Sequence, residues 1–138
     1  MASRDERAAR THFEERYGIR GNRAAALVEE RVIGSEWGAN GYTTLVQADE
    51  LLGHLALAPT STLLDVGTGR GWPALYLAQQ TGCSVVGTDL PLSALQKARA
   101  RAGREKLGHR ASMVVASGGT LPFRRRSFDA IVHTDVLC

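Results

Sequence analysis

The chain has 138 residues, 43% of them hydrophobic and 22% charged, which places it in the globular class with enough length for one modest core. Its 17 basic and 14 acidic residues leave a formal net charge of +3, too small a surplus to argue for a nucleic-acid partner. Cys83 and Cys138 offer neither a disulfide framework nor a metal-ligand spacing, and no run approaches the roughly 20 apolar residues of a membrane span. The charged N-terminus lacks a signal-peptide pattern, so the expectation is a cytoplasmic protein without membrane attachment.

Up to Pro59 the chain reads as a helical front piece, residues 1–59, that could serve as a lid. Met1 to Tyr17 is charged and weakly amphipathic, and Asn22 can cap a helix running from Arg23 to Ile33. Gly34 to Gly41 is rich in helix breakers and predicts a loop. Thr43 or Thr44 can then cap a helix on which Leu45, Leu52 and Leu55 recur at near-helical spacing.

From residue 60 onward, short β-branched runs alternate with helical patterns. Strands are predicted at Thr62 to Val66, Ser84 to Thr88, Ser112 to Val115 and Phe128 to His133, with helices at Pro73 to Gln80 and Pro91 to Leu107. Strands separated by helices imply a parallel sheet with right-handed crossovers, hence a Rossmann-like, doubly wound α/β core over residues 60–138. Ligands in such folds sit at the carboxyl ends of the strands. There is no internal repeat and no low-complexity tract.

The first strand runs into Asp65-Val66-Gly67-Thr68-Gly69-Arg70-Gly71, a turn with glycine at every second position. Such a turn lets a ligand approach the backbone closely. A dinucleotide fingerprint needs its third glycine one place later, where Trp72 stands, and Pro73 removes an N–H that a pyrophosphate would use. The second strand ends in Asp89, 18 residues beyond Gly71, where a carboxylate can accept ribose hydroxyls or cap the next helix. Further on, Leu121-Pro122-Phe123 is followed by Ser127-Phe128-Asp129-Ala130-Ile131-Val132.

These three motifs, in this order, resemble those of class I S-adenosylmethionine-dependent methyltransferases over Leu63 to Cys138. The resemblance implies strand order 3-2-1-4 and S-adenosylmethionine as cofactor. It also implies a methionine end held at Asp65, Gly67, Thr68, Gly69 and Gly71, a ribose on Asp89, and adenine against Leu90. Where many relatives carry an acidic residue for the adenine amino group, this chain has Ser117, followed by Gly118, which can supply a hydroxyl and an amide instead. His133 and Thr134 match strand-end positions whose backbone faces the methionine group, and His133 is the one candidate for a catalytic base, although the structural role is the commoner one for such a histidine. Trp37 and Tyr42 can close over the ligand or pack the front piece on the sheet. As a direct ligand contact Asp65 competes with a role in orienting the loop through backbone amides.

Other features have plainer readings. Lys97, Arg99, Arg101, Arg104, Lys106 and Arg110 form a basic helix face read as solvated, since no aromatic residues are interleaved for stacking on nucleic acid. His133, Asp135 and Cys138 match no common metal spacing. The expected activity is methyl transfer to an acceptor, most simply a small molecule, with a non-catalytic cofactor-binding half-domain as the alternative and a nicotinamide oxidoreductase as a distant third. The resembled family carries seven strands and this chain four, so the fourth strand is expected to form an open edge, the chain being either a fragment of a longer enzyme or a half whose edge a second copy or a partner chain covers.

Overall fold

The computed structural model describes residues 3–18, 23–39 and 41–136. Four parallel strands, β1 (Thr62–Val66), β2 (Ser84–Asp89), β3 (Ala111–Val115) and β4 (Ala130–Val132), form one sheet in the order β3-β2-β1-β4. Helix α1 spans Arg4–Gly18, α2 Arg23–Ile33, α3 Leu45–Leu55, α4 Ala74–Thr81 and α5 Leu92–Arg104. The expected α/β class and strand order are both present. The Asn22 cap expected for α2 lies outside the described residues.

The local signals explain most boundaries. Thr44 begins α3 with a reciprocal capping box: its hydroxyl accepts the Gln47 amide at 3.2 Å, and the Gln47 side chain accepts the Thr44 amide at 2.9 Å. Helix α4 starts one residue after Pro73 and stops at Gly82, whose φ of +75° is the left-handed ending that glycine takes without strain. Strand β4 is shorter than the apolar run predicts. Its pairing with β1 matches Leu63 to Ala130, Leu64 to Ile131 and Asp65 to Val132, and ends there.

Strand β1 lies at the centre, with Leu63, Leu64 and Asp65 all buried, as expected of a parallel strand covered on both faces. Leu63 belongs to a core shared with Leu75 and Leu77 of α4, Val85 of β2 and Ala48 of α3. The front piece enters this core through Trp37, which is 7% exposed and meets Trp72 and Tyr76 at ring-centroid distances of 5.5 and 6.0 Å. Trp72 also donates its indole N–H to the Thr43 carbonyl at 2.9 Å. The residue that spoils a dinucleotide fingerprint is thus the anchor that holds the front piece on the sheet.

At one edge of the sheet, Ile131 of β4 is 59% exposed, and β4 pairs with β1 alone among the described strands. No helix of the described residues is long and apolar enough to cross a membrane.

Candidate functional site

The glycine turn joins the carboxyl end of β1 to α4 and crosses the end of β2. Gly67, Gly69 and Gly71 have φ of +77°, +55° and +96°, conformations that only glycine adopts freely. Space matters as much as angle here: a Cβ on Gly67 would lie 2.3 Å from Val136, and one on Gly69 would lie 2.8 Å from the Tyr17 hydroxyl. The amides of Gly67 and Thr68 donate to the Thr88 carbonyl at 2.8 and 2.9 Å, that of Gly69 to Asp89 Oδ2 at 2.7 Å, and that of Gly71 to the Thr68 carbonyl at 2.8 Å. These four donors are taken up within the fold, so the turn is no cradle for a pyrophosphate, which requires outward-facing N–H groups.

Two carboxylates flank this turn in different ways. Asp89 is fixed, with Oδ2 on the Gly69 amide and Oδ1 on the Leu90 amide at 2.8 Å. Partial burial raises its pKa and these two amides pull it back down. It does not cap α5, because Glu14 of α1 takes the Leu92 and Ser93 amides there, at 2.5 and 3.2 Å. Asp65 is 1% exposed, and neither of its oxygens has a hydrogen-bond partner. Its loop-orienting role is therefore not realised: it holds no backbone amide. Burial pushes its pKa up to about 7; the Thr68 hydroxyl, facing it outside hydrogen-bond geometry, lowers it, and the negative charge of Asp89 raises it further.

A buried carboxyl group without a partner is costly and calls for an explanation. A cationic ligand group at the turn supplies one, and Asp89 retains lone pairs that can accept from a diol. The arrangement therefore fits a ligand with a positive group at one end and a ribose near its middle.

Above the turn lies a cleft of about 80 Å³, lined by Phe13 and Tyr17 of α1, by Gly67 to Arg70 and Trp72, by Ala39 and Gly41, and by Thr134 and Asp135. Asp135, with φ of +57°, closes the far wall: its Oδ2 accepts from the amides of Tyr42 and Thr43 at 3.0 and 3.1 Å and from the Thr43 hydroxyl at 2.9 Å. Gly41 packs so tightly on it that a Cβ would fall 2.2 Å from the same oxygen. The exit of β4 is thus stapled to the loop before α3.

Helix α1 covers the other side. Its Glu6 accepts the Ser117 hydroxyl at 2.5 Å, Glu14 holds the start of α5, and the Tyr17 carbonyl accepts from Lys97 Nζ and, at 3.3 Å, from Arg70. Ser117, Gly118 and Leu90 lie beyond the cleft itself, at the carboxyl ends of β3 and β2. Helix α1 therefore sits over the row of strand ends from the turn to Ser117. A volume of about 80 Å³ admits an amino-acid-sized group, whereas a complete ligand of nucleoside size needs several hundred.

Some expectations are corrected. His133 lies one residue past β4 and is exposed, while its neighbour Val132 is buried, so the strand's alternation turns the histidine away from the cleft. It is not among the residues that line the cleft. Tyr42 is 81% exposed and outside the cleft lining, contributing its amide to Asp135 instead, while Trp37 is core. The basic face of α5 is not uniformly solvated. Arg101 stacks on Trp37 at 5.2 Å and pairs with Glu36 at 3.4 Å, Arg110 donates to the Gly82 carbonyl at 2.5 Å, and Lys97 reaches Tyr17. Of His133, Asp135 and Cys138, the last lies outside the described residues, and among the described residues no group of three or more metal-ligating side chains forms. Thr134, expected at the strand end facing the methionine group, lines the cleft; Phe13, Tyr17 and Arg70 carry no sequence signal as site residues, and the sequence suggests Asp135 only as a metal ligand.

Residues 64–138 match a family described as a methyltransferase domain. Methyltransferase GfsG of Streptomyces halstedii is 37% identical over 83 residues, covering 60% of this chain and 30% of that protein. The 27-O-demethylrifamycin SV methyltransferase of Amycolatopsis mediterranei is 32% identical over 108 residues, 69% of this chain and 40% of its own length. Geranyl diphosphate C-methyltransferase from Streptomyces coelicolor A3(2), solved with Mg2+, geranyl diphosphate and S-adenosyl-L-homocysteine, shares the fold with a TM-score of 0.73 at 20% identity, over 96% of this chain and 55% of that one. The chain spans about a third of the length of these curated relatives.

Proposed function

From the premise that the chain belongs to the methyltransferase-domain family, we propose that it transfers a methyl group to a small-molecule acceptor. Its cofactor is S-adenosylmethionine, which when bound supplies a methyl group activated on a sulfonium. The observation that carries the reading is the pair of carboxylates at the glycine turn, Asp65 buried without a partner and Asp89 held by two amides. Asp89 would accept the ribose hydroxyls, and Asp65 supplies a negative field for the cationic methionine end.

Attack of an acceptor nucleophile on that methyl group is an in-line displacement that asks little of the protein beyond alignment. Holding donor and acceptor in register can contribute on the order of 7–11 kcal/mol to the lowering of the barrier. No side chain of the cleft has to carry a proton for this, in keeping with the position of His133 outside it. Tyr17, Phe13 and Trp72 supply aromatic walls to the cleft. A small acceptor agrees with the modest cleft and with the similarity to the 27-O-demethylrifamycin SV methyltransferase. The inward-turned Arg101 and Arg110 weaken the case for nucleic acid.

The experiment is transfer of labelled methyl from S-adenosylmethionine to candidate small acceptors, run beside calorimetric titration with S-adenosylhomocysteine. Binding with turnover supports the reading, and absence of binding refutes it. The share of its curated relatives that the chain spans, about a third, favours a second reading, in which it binds cofactor and needs a partner chain for turnover. Binding without transfer to any acceptor is the result that reading expects.

A further inference from the structure

The segment that forms β3 and leaves it carries no charge of its own: from Ala111 to Phe123 there is no ionisable side chain. Any carboxylate at that strand end comes from another part of the chain, and Glu6 brings one from 111 positions away. Its Oε1 accepts the Ser117 hydroxyl at 2.5 Å and its Oε2 the Ser3 amide at 2.7 Å, while the Ser3 hydroxyl accepts the Glu6 amide at 3.0 Å. Ser3 and Glu6 thus form a reciprocal capping box at the start of α1, and that box sets the direction in which the acid points. Both donors to the carboxylate are neutral, and each of its oxygens keeps a second lone pair. The hydrogen bond from Ser117, and after it the one from the Ser3 amide, hold the Glu6 pKa below the ordinary carboxylate value, so the group is charged at neutral pH.

The register of the sheet brings this acid beside the ribose site. Asp89 pairs with Val115 across β2 and β3, and the Ala116 amide donates to the Asp89 carbonyl at 3.0 Å, so Leu90 and Ser117 leave neighbouring strand ends. A base that starts from a ribose on Asp89 and lies on Leu90 directs its far edge at the Ser117 loop. The Ser117 hydroxyl is a poor acceptor there, since its proton is given to Glu6 and the Gly119 amide already donates to its oxygen at 3.2 Å. Gly118 and Gly119 have no side chain to offer. What this loop presents to a ligand is the carboxylate of α1.

Resting on the cofactor reading above, we propose that Glu6 is the base-reading residue of the site, its carboxylate accepting the exocyclic amino group of adenine. That is the role expected of the Ser117 hydroxyl, moved to a helix more than a hundred residues earlier, and a charged acceptor fills it more strongly than a neutral one. The acid reaches the ligand only while α1 is docked, so recognition of the base and docking of α1 reinforce each other. The alternative, a carboxylate that fills the place of the base, makes the opposite prediction for removal of its charge.

The test is calorimetry on the full chain with S-adenosylhomocysteine and its purine analogue, in which hydrogen replaces the 6-amino group. Wild type should bind S-adenosylhomocysteine about 10- to 150-fold tighter, the worth of one hydrogen bond to a charged group. E6Q keeps the capping box, because the glutamine amide oxygen can take the Ser3 amide, and turns its NH2 group to the ligand. That variant should lose the preference while holding the purine analogue within about twofold. S117A leaves the carboxylate on the Ser3 amide and should keep most of the preference. S-adenosylhomocysteine should also slow amide exchange over residues 4–18 more than the purine analogue does. Equal affinity of the wild type for the two compounds overturns the proposal, as does a preference that survives in E6Q. Tighter binding of both compounds by E6Q overturns it and makes Glu6 an occupant of the base's place, and equal weakening of both overturns it in favour of a packing role in α1. Failure of both compounds to bind the wild type refutes the cofactor reading itself, a result distinct from each of these.

Discussion

Replacing Asp65 by asparagine should make the ligand-free protein more stable at pH 8 and leave it little changed near pH 4. The carboxyl group titrates at about 7 in the folded chain against an ordinary value of 3.8, because burial strips its water and no hydrogen bond compensates. The folded state thus binds the proton more tightly than the unfolded chain. Stability falls as pH rises from about 4 to about 7 and levels off above, where the buried group is charged. Roughly three pKa units at 1.36 kcal/mol each give a penalty on the order of 4 kcal/mol at pH 8, a large part of a small domain's total stability. Asparagine has nearly the same shape and no charge to desolvate.

The measurement is urea unfolding of both proteins from pH 5 to pH 8. Wild type should lose stability across that range, and Asp65→Asn should show a much shallower slope. Some slope remains because burial also raises the Asp89 pKa, with the same sign. Glu6 and Glu14, whose pKa values are lowered by hydrogen bonds, act only below about pH 4.5 and do not confuse the window. S-adenosylhomocysteine should restore wild-type stability at pH 8 by bringing an ammonium to the carboxylate, and should do so far less for the variant. Parallel pH profiles for the two proteins would refute the reasoning, since they would mean that Asp65 is solvated or paired in solution.

Asp89→Ala removes one or two charge-assisted bonds to the ribose and should weaken S-adenosylhomocysteine about 10- to 100-fold by calorimetry, whereas an unchanged affinity excludes the ribose role. Gly69→Ala forces a side chain to φ +55° and to 2.8 Å from the Tyr17 hydroxyl; faster hydrogen exchange across residues 4–18 and a loss of about 1–3 kcal/mol are expected. Thr44→Ala breaks the capping box and should cost about 1 kcal/mol in chemical unfolding with no change in cofactor affinity, because α3 supports the cleft without lining it.

What the sequence shows of this fold is what local chemistry decides. The β-branched runs, the Thr44 capping box, the glycine turn and the acid at the end of β2 each carry their signal within a few residues, and each stands where it was expected. The roles decided by long-range packing were not legible. Nothing near Tyr17 or Glu6 indicates that α1 will reach Lys97, 80 positions along the chain, or Ser117, 111 positions along. Such contacts depend on the angle at which a weakly amphipathic, highly charged helix settles, and periodicity does not encode that angle. The bounds of β4 differ for a related reason: the apolar run from Phe128 to His133 suggests a longer strand, whereas pairing with β1 covers only Ala130 to Val132.

The cofactor turn is also where local and global requirements conflict, and the conflict locates the function better than any motif does. Several buried polar groups elsewhere find partners, Thr88 on the Asp65 carbonyl, Trp72 on Thr43 and Glu29 on the amides of Trp37 and Ala39, and away from the turn the Ser93 hydroxyl is the exception among the described residues. At the turn, Asp65 and the Arg70 Nε both lack them. For folding alone an asparagine or leucine at position 65 would serve better, since a buried charge without a counterion is among the costliest features a core can hold. Such a residue persists where a ligand completes the site. The stability missing from the ligand-free protein above pH 7 then measures the interaction that the cofactor's ammonium supplies when it binds, and the two quantities should rise and fall together with pH.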